Sequence, residues 1–299
     1  MKKIVIGGSG FIAQAIQQHV VSMNINESFV FTYNNHPRRI HEGLRKIKLN
    51  LLDRSTFPEY QNFPMAIYVA GNADHKVARK DPLQDLELNV RTFLNFMEYF
   101  RGSLILLSTQ AVYYGLEGEV SENVNHIATI PYGLSKQMLE IYAKYFLNIG
   151  YLHKLWIFRL MYAFGKGEKE IRLIPTCART AHTKEKINIF GGGRSFINPL
   201  PSQFVAKILL NAAEKLEIAN DVFLEITNLN HPETITVEGV VSYLNSLKPF
   251  NYTIEDTGEE WPIRFWGNTN NLYSHMKEWN MDFPDIWESL RHYFLDLIK

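Results

Sequence analysis

Lys2-Lys3-Ile4-Val5-Ile6-Gly7-Gly8-Ser9-Gly10-Phe11-Ile12-Ala13 opens the chain with a short apolar run, a glycine cluster and the start of a helical pattern. The run reads as a first strand buried on both faces, because its apolar residues are consecutive rather than alternating. Gly7 lets the backbone turn sharply, and Gly10 leaves room for an anion to approach the main chain. A helix begun at Phe11 aims its free N–H groups at that anion, the arrangement that binds the diphosphate of a dinucleotide. Ala13 stands where a third glycine often allows the helix to pack on the sheet, and a methyl group is tolerable there.

Outward from this segment, apolar strands alternate with amphipathic helices. The patterning predicts strands at Lys3–Ile6, Phe29–Thr32, Arg45–Leu49, Met65–Val69, Leu104–Ser108 and Trp156–Arg159. It predicts helices at about Phe11–Met23, Pro82–Phe100 and Ser135–Asn148. Strand–helix–strand repetition is the signature of an α/β fold, a Rossmann-type doubly wound parallel sheet with helices on both faces. Ligands of such sheets lie beyond the C-terminal strand ends. Residues 1–160 are therefore expected to form the dinucleotide-binding domain. Residues 161–299 are expected to form a smaller, loop-rich α+β region for the substrate. Within it, a helix at about Pro201–Lys215 and a strand at Asp221–Ile226 are expected to return to the main sheet.

Composition narrows the class. With 299 residues the chain can bury a large core. The 31 Lys and Arg balance the 31 Asp and Glu, so no electrostatic pull towards nucleic acid or a membrane is expected. Cys177 is the single cysteine, which fits a reducing cytoplasm. No apolar run is long enough to span a bilayer, and no metal site is expected.

Nucleotide choice is read at the end of the second strand, where an acid would take the ribose 2′-hydroxyl. Phe29-Val30-Phe31-Thr32-Tyr33-Asn34-Asn35-His36-Pro37-Arg38-Arg39 carries no acid there. A 2′-phosphate would suit Arg38, Arg39 and the Thr32 hydroxyl, which favours NADP over NAD. The alternative is that both arginines only solvate a turn.

Tyr-x-x-x-Lys occurs at Tyr132/Lys136, Tyr162/Lys166 and Tyr273/Lys277. Residues i and i+4 share a helix face, so context separates the three. Tyr162/Lys166 contains Gly165 and is expected in a loop, and Tyr273/Lys277 lacks a companion strand-end hydroxyl. Only Tyr132/Lys136 opens a long amphipathic helix and follows Ser108-Thr109 at a strand terminus. Bringing a tyrosine pKa from about 10 to about 7 requires roughly 4 kcal/mol of phenolate stabilisation. A nearby ammonium, Lys136, can contribute it, and the Thr109 hydroxyl can orient a reacting oxygen.

With these residues in place, the chain resembles the extended short-chain dehydrogenase/reductases, in the nucleotide-sugar epimerase/dehydratase branch. Gly7 to Ile12 is similar to the family's glycine motif. Leu49-Asn50-Leu51-Leu52-Asp53 resembles its adenine-contacting segment, with Asn50 where aspartate is common. Val69-Ala70-Gly71 resembles the strand end beneath the nicotinamide, and Asn89-Val90 the Asn-Val helix. Ser108-Thr109-Gln110-Ala111-Val112-Tyr113 resembles the strand bearing the catalytic hydroxyl.

The resemblance implies Thr109, Tyr132 and Lys136 as catalytic residues. The dinucleotide is then expected to meet Gly7, Ser9, Gly10, Phe11, Ile12, Thr32, Asn34, Arg38, Arg39, Asn50, Leu51, Ala70, Gly71, Asn89, Tyr132 and Lys136. It also implies a homodimer and a nucleotide-sugar substrate. Gln110 and Ala111 replace the Asp-Glu pair of branch dehydratases, which disfavours dehydration. Tyr162 replaces a substrate-facing Asn, and Phe204 an aspartate. Arg172, Arg179, Arg194 and Arg264 are all candidates for the substrate diphosphate. The expected activity is NADPH-dependent reduction of a 4-keto sugar nucleotide. The alternatives are NAD-dependent epimerisation and, in another class, a dinucleotide sensor or scaffold without turnover.

Overall fold

In the computed structural model, which describes residues 1–183 and 185–299, the opening strand lies in the interior of the main sheet, with a strand on either side. The strands in chain order are β1 (Lys3–Ile6), β2 (Phe29–Tyr33), β3 (Arg45–Lys48), β4 (Met65–Tyr68), β5 (Gly102–Thr109), β6 (Glu117–Val120), β7 (Leu152–Leu160), β8 (Tyr162–Phe164), β9 (Lys186–Ile189), β10 (Pro199–Pro201), β11 (Phe223–Leu229), β12 (Asn251–Ile254) and β13 (Arg264–Gly267). The main sheet runs β3-β2-β1-β4-β5-β7-β11, every pair parallel. The chain leaves β1 towards β2 on one side and returns to β4 on the other. That reversal opens a crevice at the C-terminal ends of β1 and β4, where a dinucleotide binds such sheets.

The helices are α1 (Phe11–Ser22), α2 (His75–Lys80), α3 (Pro82–Leu86), α4 (Thr92–Tyr99), α5 (Pro131–Asn148), α6 (Leu173–Thr180), α7 (Ser202–Ile218), α8 (Val237–Leu247), α9 (Asn270–Glu278) and α10 (Ile286–Leu297). Strand side chains alternate between two cores. Val5, Phe31, Ile67 and Phe158 pack with α1 and α7. Ile4, Ile6, Tyr68 and Ile157 pack with α4 and α5. Burying Phe31 or Phe158, both fully enclosed, contributes about 1.5–3 kcal/mol each.

Two helices differ from the sequence reading in ways that shape the site. The predicted Pro82–Phe100 helix is interrupted by a π-helical turn at Glu87–Arg91 between α3 and α4. Such turns are frequent at functional sites. The helix predicted from Ser135 starts at Pro131, whose fixed φ suits the first helical position. Tyr132 consequently sits in the first turn.

The last third is more regular than a loop-rich region. Helices α6, α8 and α10 enclose their own core of Ile174, Cys177, Val240, Leu244, Ile286, Leu290 and Phe294. The segment from α7 to β11 lies on the main sheet, α7 beside α1 and β11 paired to β7. Tyr162 lies in β8, not in a loop, and β8 pairs with β10. No helix among the described residues is long and apolar enough to cross a membrane.

Candidate active site

The glycine turn is built by close approach. Gly7 has φ +84°, and a β-carbon there would lie 2.8 Å from the Ala70 backbone at the end of β4. At Gly8 it would lie 2.8 Å from the Thr32 backbone at the end of β2. Gly10 is the N-cap of α1 and offers no side-chain cap, so N–H groups of the first turn remain for a ligand. Ser9, Gly10 and Phe11 are partly exposed along this turn, and Ile12 is buried behind it. The glycine cradle and the uncapped helix end fit a dinucleotide diphosphate.

Two residues expected to meet the cofactor do other work. The Thr32 hydroxyl accepts from the Gly7 N–H (3.0 Å) and donates to the Val5 carbonyl (3.1 Å). It is buried and committed to holding the turn. Asn89 is wholly buried. Its amide oxygen accepts from the Asn72 N–H (2.9 Å), and its amide nitrogen donates to Asp85 (2.9 Å) and Ser135 (3.1 Å). Asn89 therefore positions the loop after β4. Asn34, Arg38 and Arg39 are exposed beyond β2. Asn50 accepts from the Leu52 N–H (3.1 Å), and the Leu51 carbonyl accepts from Asn95 (2.9 Å); both residues are half-buried.

The catalytic candidates converge beyond the ends of β4 and β5. Thr109 closes β5, and its hydroxyl accepts from the Ala111 N–H (3.1 Å). In α5, a β-carbon at Gly133 would collide with the Ala111 carbonyl and lie 2.7 Å from the Ala128 side chain. That contact seats the first turn of α5 against the end of β5 and brings Tyr132 beside Thr109. Burial pushes the Tyr132 phenol up to about 12, against the pull of the Thr109 hydroxyl. Burial lowers Lys136 to about 8, opposed by the carboxylates of Asp85 and Glu140. Gly71 has φ +132°; a β-carbon there would lie 2.5 Å from the Asn89 amide oxygen and 3.4 Å from the Lys136 ammonium. Glycine is the residue that fits between them.

A buried polar network supports these residues from below. Glu140 of α5 accepts from Ser108 of β5 (2.6 Å) and, through both oxygens, from Arg159 of β7 (2.7 and 3.1 Å). Arg159 also donates to the Tyr113 hydroxyl (2.6 Å), which donates to Asn228 (2.8 Å). Gln110 points into this interior, donating to Asn230 (2.6 Å), away from the cleft.

Sequence reasoning missed two further residues at the site. The ring of His75, at the start of α2, lies 4.5 Å from that of Tyr132, and burial holds its imidazole below the usual histidine range. Asp85 is buried, and its carboxylate favours the Lys136 ammonium. Among the four candidate arginines, Arg172 is the one whose charge reaches Tyr132 and His75. It is held by Glu168 (3.1 Å) and stacked on Tyr162 (4.1 Å). Arg179, Arg194 and Arg264 pair with Glu185, Asp256 and Glu259. Tyr273 and Lys277 interact on the exposed face of α9 (4.4 Å).

Comparison with known proteins agrees with this architecture. A UDP-glucose 4-epimerase structure superposes with a TM-score of 0.85 at 18% identity, covering 98% of this chain and 96% of the other. The Thermotoga maritima UDP-glucose 4-epimerase, solved with UDP-glucose, gives 0.84 at 17% identity over 100% of both chains. The Bacillus cereus UDP-glucuronic acid 4-epimerase, solved with UDP-glucuronic acid and NAD, gives 0.82 at 16% over 99% of both. No sequence among the curated proteins matches. The model of the NAD dependent epimerase/dehydratase family matches residues 4–216. From the glycine turn of β1 to the Tyr132/Lys136 helix and beyond, the chain belongs to that family of enzymes.

Proposed function

We propose that the protein is a nucleotide-sugar oxidoreductase that reduces a 4-keto sugar using NADPH. The observation that carries this reading is the meeting of Thr109, Tyr132, Lys136 and Gly71 at the crevice between the ends of β1, β4 and β5. The glycine turn and Gly71 would hold a reduced dinucleotide, which would supply the hydride that the ketone carbon takes up. Tyr132 donates its phenolic proton to the ketone oxygen, which the Thr109 hydroxyl orients. Lys136 then stabilises the phenolate. Burial favours the protonated phenol, the state that a proton donor requires. The substrate is a nucleotide sugar, with Arg172 beside the reacting end. Epimerisation with retained NAD is the second reading, favoured by the fold shared with the 4-epimerases along nearly their whole length. There Tyr132 would take the proton and return it.

Calorimetric titration with NADPH and NAD, after identifying any co-purifying dinucleotide, separates the readings. Selective NADPH binding is expected. The double change Arg38→Ala/Arg39→Ala should then weaken NADPH by about ten- to a hundredfold, as losing a charged phosphate contact does, with little effect on NAD. Tightly retained NAD would instead select the epimerase, and binding of neither would overturn both.

We further propose a homodimer through α5. Its solvent face carries Leu134, Met138, Ile141 and Tyr145, continued by Ile149 just past its end, exposed by 41–63%, while the opposite face buries Leu139, Ala143 and Phe146 in the core. A stripe of this kind marks an interface. Ile141→Asp is expected to convert a dimer to a monomer in sedimentation velocity; an unchanged sedimentation coefficient would place the interface elsewhere.

A further inference from the structure

Lys136 is a buried cation, 5% exposed, and a buried charge needs a counter-charge. Two carboxylates act on it. Glu140, one turn along α5, is engaged by the bidentate Arg159 pair and by Ser108. Asp85, on α3, is 1% exposed and forms no ion pair among the described residues. Its Oδ1 accepts from the amides of Asn72 (2.8 Å) and Asn89 (2.9 Å). Its Oδ2 is buried with no hydrogen-bond partner. The Asn89 amide that Asp85 holds also donates to Ser135, the residue preceding Lys136, and its oxygen stands against Gly71 together with the Lys136 ammonium.

We propose that Asp85 is the counter-charge of Lys136, a positioning residue that keeps the ammonium protonated in its buried position and, through Asn89, fixes the loop bearing Gly71. Asp85 touches neither substrate nor cofactor in this role, which rests on the reading of Lys136 given above. Other charged or titratable groups bear on the same space. From α5 they are Tyr132 and Glu140. From α2 and its cap they are His75 and Asp74, and from the start of α6, Arg172. Asp85 alone among the nearby carboxylates combines complete burial with the lack of a cationic partner at ion-pair distance. Its negative charge also raises the Tyr132 phenol, so it favours the protonated forms of both groups.

The sign of the effect follows directly. A neighbouring carboxylate favours the ammonium, so removing its charge lowers the pH at which Lys136 deprotonates. Asp85→Asn keeps an oxygen for Asn72 and Asn89 and removes only the charge. The experiment is NMR titration of ligand-free protein carrying ¹³C at the lysine ε-carbons, with the Lys136 resonance assigned by its loss in Lys136→Arg. Asp85→Asn is expected to lower the Lys136 midpoint by about one pH unit or more. Asp85→Ser, which also keeps one oxygen acceptor, carries the same test if the first variant is insoluble. In turnover, the alkaline limb of kcat/KM should move to lower pH in parallel. An unmoved Lys136 midpoint in a folded, uncharged variant would overturn the proposal and leave Asp85 with a hydrogen-bonding role only. Because the titration is read without substrate or cofactor, it is independent of the Tyr132 mechanism. A shifted midpoint alongside an active Tyr132→Phe enzyme would reject the mechanism and retain Asp85 as the counter-charge.

Discussion

Replacing Tyr132 by phenylalanine is expected to lower kcat by about 10²–10⁴-fold, the usual contribution of a positioned general acid. Folding and dinucleotide binding should survive. The change removes one oxygen and keeps the ring that packs against His75 and in a buried apolar cluster with Ala111, Val112 and Phe265. The rate falls because no other group at this position is matched to the task. His75 faces the Tyr132 ring, and burial holds its imidazole below the usual histidine range. Thr109 is a hydroxyl at the strand end, suited to hydrogen bonding rather than to proton release at neutral pH. Single-turnover kinetics with a saturating dinucleotide separate the chemical step from binding. A Tyr132→Phe enzyme with wild-type kcat would remove the phenol from the mechanism, whatever the fold.

Much of this site was legible in the sequence, for physical reasons that vary by residue. Strands β1, β2 and β4 are buried on both faces, so their apolar residues run consecutively and identify themselves. The glycine turn was equally plain, since Gly7 adopts a left-handed φ that other residues rarely accept. Tyr132 emerged only through its neighbours, because the same spacing recurs twice without catalytic context. Thr32 and Asn89 bond the protein's own backbone; a hydroxyl or amide can serve a ligand or the backbone, and spacing cannot distinguish the two. Asp85 was hidden for a different reason. The Pro82–Phe100 pattern places it on a helix without showing that its carboxylate is buried, and the π turn that interrupts that helix cannot be deduced from propensity. The helices of the last third were obscured by their shortness. Ile286, Leu290 and Phe294 do keep an i, i+4, i+8 spacing along α10, and all three are buried.

Truncating Glu140 to alanine is expected to destabilise the fold by about 3–5 kcal/mol, the cost of stranding a buried charge. The Glu140 and Arg159 side chains are 3% and 8% exposed. A guanidinium cannot shed its proton in a protein, and the paired carboxylate together with the Tyr113 hydroxyl holds Arg159 still further above its ordinary range, against burial. With Glu140 gone, Arg159 keeps its Tyr113 and Glu122 contacts but loses its anion. Ser108 loses its acceptor at the same time. Simultaneous replacement by apolar residues, Glu140→Leu with Arg159→Met, should recover most of the loss, because neither side chain then brings a charge into the core. Denaturant midpoints of the single and double variants test both statements; a loss below about 1 kcal/mol for Glu140→Ala would mean that water reaches Arg159 and solvates it. The functional cost should be separate from the stability cost. Glu140 ties α5 to β5 and β7, and α5 and β5 carry Tyr132, Lys136 and Thr109. The double variant is therefore expected to fold yet turn over more slowly than the wild type, because apolar packing restores the core without the directional bonds that hold Tyr132 against Thr109.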